Sequence, residues 1–169
     1  MRKVLFIFGQ LSDSDIDWLA KAGRRQRLPA KTILIREGVS VGTLYILLEG
    51  QLSVVRGGTT VARLGAGEMV GEMSFIDARP PSATVLAESD VVVYAISKSV
   101  LQDRLAQDPA FAARFYKAVA TFLSDRVRKA TEADHPDPRT VDELDDYVLD
   151  NLDRAGARFD DLSRRLLDG

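Results

Sequence analysis

The sequence predicts a mainly β fold with flanking helices: an antiparallel β-roll, then a long helix and an amphipathic helical tail. Three observations carry this. Between residues 25 and 96, short runs rich in β-branched, leucine and aromatic residues recur at close spacing. Glycines stand between them at Gly38, Gly50, Gly57-Gly58, Gly65 and Gly67. The strand–helix alternation that a parallel sheet requires is missing from this stretch.

The elements follow in order. A helix is expected over residues 12–23, with Ser12 as cap, Asp15 three residues later, and Ile16, Leu19 and Ala20 at helical spacing. The strand-like runs are Thr32–Ile35, Leu44–Leu48, Leu52–Val55, Val61–Leu64, Thr84–Leu86 and Val91–Ile96. After Ile96 the texture turns helical, with Ser97 as a cap. Asp108-Pro109 marks a second start, a capping carboxylate followed by proline at the first helical position. That helix is expected to reach about residue 130, with Phe111, Phe115, Val119, Phe122, Leu123 and Val127 on one face.

His135-Pro136-Asp137-Pro138 breaks the pattern. The expected organisation is therefore a domain over 1–130, a linker over 131–139 and a tail over 140–169. Thr140 and Glu143 form a capping box, and an apolar stripe runs from Val141 to Leu166. The tail packs on its own domain or pairs with another chain.

Composition bounds the function. The chain has 169 residues, is 46% hydrophobic and 28% charged, and carries a net charge of −2. It has no bulk electrostatic attraction for nucleic acid or anionic membrane. The absence of cysteine removes disulfide and thiolate chemistry and fits a reducing cytoplasm. Val4-Leu5-Phe6-Ile7-Phe8 is too short for a signal peptide or a membrane span. A single histidine, His135, excludes a histidine-based metal centre, and no nucleophile or general-base constellation is visible. No catalytic residue, metal or cofactor is expected, and the chain reads as a non-enzyme.

The chemistry concentrates in residues 71–85, GEMSFIDARPPSATV. If Met73-Ser74-Phe75-Ile76 makes one helical turn, its leading amides form an anion site, and Gly71 permits close approach. Glu72, at the mouth, accepts from a sugar hydroxyl. Ser82 and the Ala83 N–H reach toward the same place. Each has a plainer reading: Glu72 as a carboxylate bonded to loop amides, Ser82 as a turn hydroxyl.

Taken as a set, Glu37-Gly38, Leu44–Leu47 with Gly50, Leu64–Glu68 and Gly71-Glu72 through Val85 resemble the cyclic-nucleotide-binding domain family, that of the bacterial catabolite activator and the protein kinase A regulatory subunit. The resemblance covers about residues 10–130. It implies an eight-stranded β-roll of jelly-roll type whose phosphate-binding cassette falls on 71–84. It places Glu72 at the ribose 2′-hydroxyl, Met73 and Ser74 at the helix-start amides near the cyclic phosphate, and Ser82 and Ala83 at the phosphate itself. Val61, Leu64 and Val70 fall at the base pocket. The long helix serves in the family as lid and dimer contact. The implied ligand is a cyclic nucleotide, cAMP or cGMP.

One position departs from the family. Pro81 stands where the phosphate-binding arginine is expected, and it has neither a guanidinium nor an N–H. Losing one partner of such a pair costs about 2–5 kcal/mol. Arg79, two residues earlier, either folds over Pro80-Pro81 as a substitute or is a solvated loop arginine. Two classes of function follow: a ligand-regulated sensor with weakened cAMP binding, or a ligand-free interaction module that assembles, as a homodimer or with another protein, through its C-terminal helices.

Overall fold

The computed structural model describes residues 9–77 and 79–134, with 161 and 164. The expectations for the N-terminal run Val4–Phe8, for His135-Pro136-Asp137-Pro138 and for the tail helix opened by Thr140 lie outside the described residues.

Helix α1, Asp13–Ala22, begins where the sequence places it. The Ser12 hydroxyl accepts from the Asp15 N–H at 3.3 Å, and the Asp15 carboxylate accepts from the Ser12 N–H at 2.8 Å. Two orphan donors at the helix start are thus satisfied reciprocally. Ile16 and Leu19 are its buried apolar residues.

Among the described residues eight strands follow: β1 (Arg24–Leu28), β2 (Ile33–Ile35), β3 (Thr43–Glu49), β4 (Leu52–Arg56), β5 (Thr59–Leu64), β6 (Met69–Val70), β7 (Thr84–Ala87) and β8 (Val91–Ser97). They form two four-stranded sheets, ordered β1-β8-β3-β6 and β2-β7-β4-β5, and every pairing is antiparallel. The expected roll is therefore present. Gly57 and Gly58 have φ of 56° and 82° and close the β4–β5 hairpin with Arg56 opposite Thr59. Consecutive positive φ values are what a tight two-residue hairpin turn demands.

β1 is a strand that hydrophobic patterning does not reveal. Its sequence, Arg-Arg-Gln-Arg-Leu, pairs along β8 from Arg24 opposite Ala95 to Leu28 opposite Val91. It is an edge strand, and charge there discourages pairing with foreign strands.

The chain ends, among described elements, in α2 (Lys98–Gln107) and α3 (Pro109–Asp134). Asp108 caps α3, its carboxylate accepting from the Phe111 N–H at 2.9 Å. The helix passes the expected end near 130 and continues to Asp134. Phe111, Phe115, Val119 and Phe122 are buried as the spacing implies, but Val127 is exposed.

Two cores share one wall. Ile35, Leu47, Leu52, Leu64, Val70, Val85, Val91 and Val93 fill the space between the sheets. Leu44, Ile46, Leu48, Val92, Tyr94 and Ile96, on the other faces of β3 and β8, meet Leu19, Leu101, Phe111 and Phe115 of the helices. Burial on both faces explains why these two strands read as continuous apolar runs. The helices are pinned to one another by Arg104, whose guanidinium lies 5.6 Å from the Trp18 ring and 5.4 Å from that of Phe111 while pairing with Asp108 at 2.8 Å.

Candidate functional site

Gly71 opens the loop with φ of 95°. A side chain here would strike the Thr43 carbonyl oxygen at 2.5 Å and come within 3.3 Å of Val41. Glycine is required on both counts, conformation and space. The left-handed step turns the chain from β6 into a single 3-10 turn, Glu72–Phe75, which starts one residue before the turn expected over Met73–Ile76. The Ser74 hydroxyl donates to the Gly71 carbonyl at 2.7 Å, and the Ile76 and Asp77 N–H groups both donate to the Met73 carbonyl.

The turn places Glu72 inward. The residue is 2% exposed, so the carboxylate does not stand at an open mouth. Met73 and Ile76 take the outer face, 54% and 52% exposed. Ser74 and Gly71 are half-buried.

Lys98, the first residue of α2, meets this turn from the helix side. Its Nζ donates to the Ser74 carbonyl at 2.5 Å and lies 5.7 Å from the centre of the Phe75 ring. Phe75 in turn packs edge-on against Phe115 of α3, with centroids 6.0 Å apart. Sequence spacing does not point to Lys98, which is 24 residues from Ser74. The available signal is a lysine at the amino end of a helix, where the dipole disfavours a cation.

The second half of the loop has different anchors. The Pro81 carbonyl accepts from the Gly38 N–H at 2.9 Å, and the Thr84 hydroxyl accepts from the Glu37 N–H at 3.1 Å. Residues 81–84 are thus held on the 36–39 turn that leaves β2, with Ser82 exposed and Ala83 half-buried between the two anchors. Arg79 does not fold over the prolines. Its guanidinium binds Asp77, Nε to Oδ2 at 2.7 Å, and the side chain is 86% exposed. The hydrogen bonds from the Arg79 side chain, then from its N–H, hold the Asp77 carboxyl below the usual carboxylate range.

A cavity of about 230 Å³ adjoins the loop where Gly71 packs on Thr43, lined by Ile33, Arg36, Val41, Thr43 and Tyr45 among others. Gly71, Glu72, Met73, Ser74, Arg79, Ser82 and Ala83 do not line it. Leu64 and Val70, expected at a base pocket, belong to the core between the sheets, while Val61 on β5 is exposed. Among the described residues no cluster of His, Cys, Asp and Glu is placed to hold a metal, and no helix is long and apolar enough to cross a membrane.

Comparison with known proteins supports the fold. Residues 25–108 match the model of the cyclic nucleotide-binding domain. The chain is similar to a cyclic nucleotide-binding domain from Methylobacillus flagellatus, with a TM-score of 0.69, 26% identity, and coverage of 84% of this chain and 85% of that one. It is also similar to the regulatory domain of Toxoplasma gondii PKA crystallised with cAMP, at a TM-score of 0.54 and 27% identity, covering 60% of this chain and 42% of that one. An uncharacterized NTE family protein of Mycobacterium tuberculosis is 28% identical over 163 residues, 96% of this chain. This chain spans 27% of that protein's length.

Proposed function

Residues 25–108 belong to the cyclic nucleotide-binding domain family, and from that premise we propose that the chain is a non-enzymatic, cytoplasmic sensor module. In this reading a cyclic nucleotide or related anion, cAMP or cGMP, sits at the 71–84 loop and shifts the C-terminal helices. The observation that carries it is the loop itself. A left-handed Gly71, packed on Thr43, launches a turn that touches α2 through Lys98 and α3 through Phe115. A ligand that reshapes this turn therefore acts on both helices. Gly71, Met73 and Ser74 would approach the phosphate from one side, Ser82 and Ala83 from the other, and Glu72 would take the ribose hydroxyl after turning out of its buried position.

Binding in this reading is weak. Pro81 offers no guanidinium, and Arg79 is already committed to Asp77. The dissociation constant for cAMP is expected above roughly 10 μM. Calorimetry with cAMP and cGMP tests this: weak saturable heats support it, and submicromolar binding overturns the role given to Pro81.

The burial of Glu72 and the exposure of Met73 and Ile76 favour a second reading. There the loop is closed for good, and the roll with its helices is an interaction module that pairs with itself or another protein. No heat with either nucleotide up to millimolar concentration, together with a dimer in sedimentation, would select it.

A further inference from the structure

Lys98 is a poor choice for its own helix. It occupies the first position of α2, where unpaired amides and the helix dipole favour an anion, and the first turn contains no acidic residue to offset it. A local choice that opposes local stability points to a task elsewhere. The charge is used on the loop: Nζ donates to the Ser74 carbonyl, at the end of the 72–75 turn where carbonyls lack helical partners, and lies over the Phe75 ring. The backbone of the same residue is fixed too. The Lys98 N–H donates to the Gly42 carbonyl at 2.9 Å, next to the Thr43 carbonyl on which Gly71 packs. One residue thus joins the β2–β3 connection, the loop turn and the start of α2.

We propose that Lys98 is a positioning residue that holds the 72–75 turn in shape and passes its rearrangements into α2. The sign follows from the dipole. While Nζ is bound to the Ser74 carbonyl, its charge is drawn toward the turn. When the turn moves and that bond breaks, an uncompensated cation is left at the amino end of α2, and the first turn of the helix loosens. The functional meaning rests on reading 71–84 as the ligand loop; the mechanical link does not.

Amide hydrogen exchange of the full chain without ligand tests the link. Lys98→Gln should speed exchange of the Ile76 and Asp77 amides, both bonded to the Met73 carbonyl, by about tenfold, with Val93 in the core unchanged. Lys98→Arg should restore protection. Ser74→Ala, which removes the hydroxyl bond to Gly71, should speed exchange at Leu101 in the native background and not in the Lys98→Gln background. Unchanged exchange at Ile76 and Asp77 in Lys98→Gln overturns the proposal, as does acceleration matched at Val93 or an equal effect of Ser74→Ala in both backgrounds. No nucleotide enters these measurements, so a negative calorimetric result leaves them intact, and the two failures are distinguishable.

Discussion

Arg114 grips Asp15 with two parallel hydrogen bonds, Nε to Oδ2 at 2.7 Å and a terminal guanidinium nitrogen to Oδ1 at 2.9 Å, joining α1 to α3 across 99 residues of sequence. The carboxylate also closes the capping box of α1, and it is buried. Burial pushes the Asp15 carboxyl pKa up, but the hydrogen bonds from Arg114 and from Ser12, with the guanidinium charge, outweigh it and set it below the usual range.

Because the folded pKa is depressed, the contribution of Asp15 to stability is complete above the unfolded value and is lost as pH falls through the folded one. Urea denaturation from pH 7 downward should show this loss, and Asp15→Asn should flatten that limb. Asp15→Ala should cost about 1 kcal/mol from the capping box alone, roughly 2–4 °C in Tm, and more from the stranded arginine.

Gly71→Ala should destabilise the fold. Left-handed backbone costs a non-glycine residue on the order of 1–3 kcal/mol, and the Thr43 carbonyl at 2.5 Å blocks the new methyl group. Chemical denaturation should report a loss of at least that size, with the 72–77 amides the first to lose protection.

Tyr94→Phe removes one oxygen and unpairs two backbone groups. The hydroxyl donates to the Leu19 carbonyl at 2.8 Å and accepts from the Gly23 N–H at 2.9 Å. Stranding a buried carbonyl and a half-buried N–H costs about 1–3 kcal/mol, so a clear fall in Tm is expected from a change that leaves packing intact. Burial pushes the Tyr94 phenol pKa up, so the hydroxyl keeps its proton at neutral pH.

Pro81→Arg should strengthen cAMP binding by at least about tenfold in calorimetry, since it supplies a charge-assisted pair. The Pro81 carbonyl, not its ring, holds the Gly38 N–H, so the substitution keeps that anchor. No gain would mean that the closed position of Glu72, rather than the missing arginine, limits the pocket.

What the sequence discloses divides by distance along the chain. The α1 cap, the Gly57-Gly58 hairpin and the Asp108-Pro109 start rest on residues within four of one another, and all are where local chemistry puts them. The apolar runs of β3 and β8 were legible because burial on both faces leaves no polar alternation to confuse them. β1 was not, because an edge strand of arginines has no apolar signature. In the loop, the turn after Gly71 follows from spacing. The inward fate of Glu72, the diversion of Arg79 onto Asp77 and the reach of Lys98 to Ser74 depend on side-chain directions that a linear pattern does not encode.

The wall that β3 and β8 lend to both cores makes the roll a poor candidate for life on its own. A chain cut after Ser97 would keep every described strand and the inter-sheet core, yet would leave Leu44, Ile46, Leu48, Val92 and Ile96 with only α1 to cover them, a largely greasy surface. Such a fragment would self-associate or precipitate. Any gene fusion or minimal binding domain built from this sequence must therefore carry α2 and α3 at least through Phe122 as the roll's own lining.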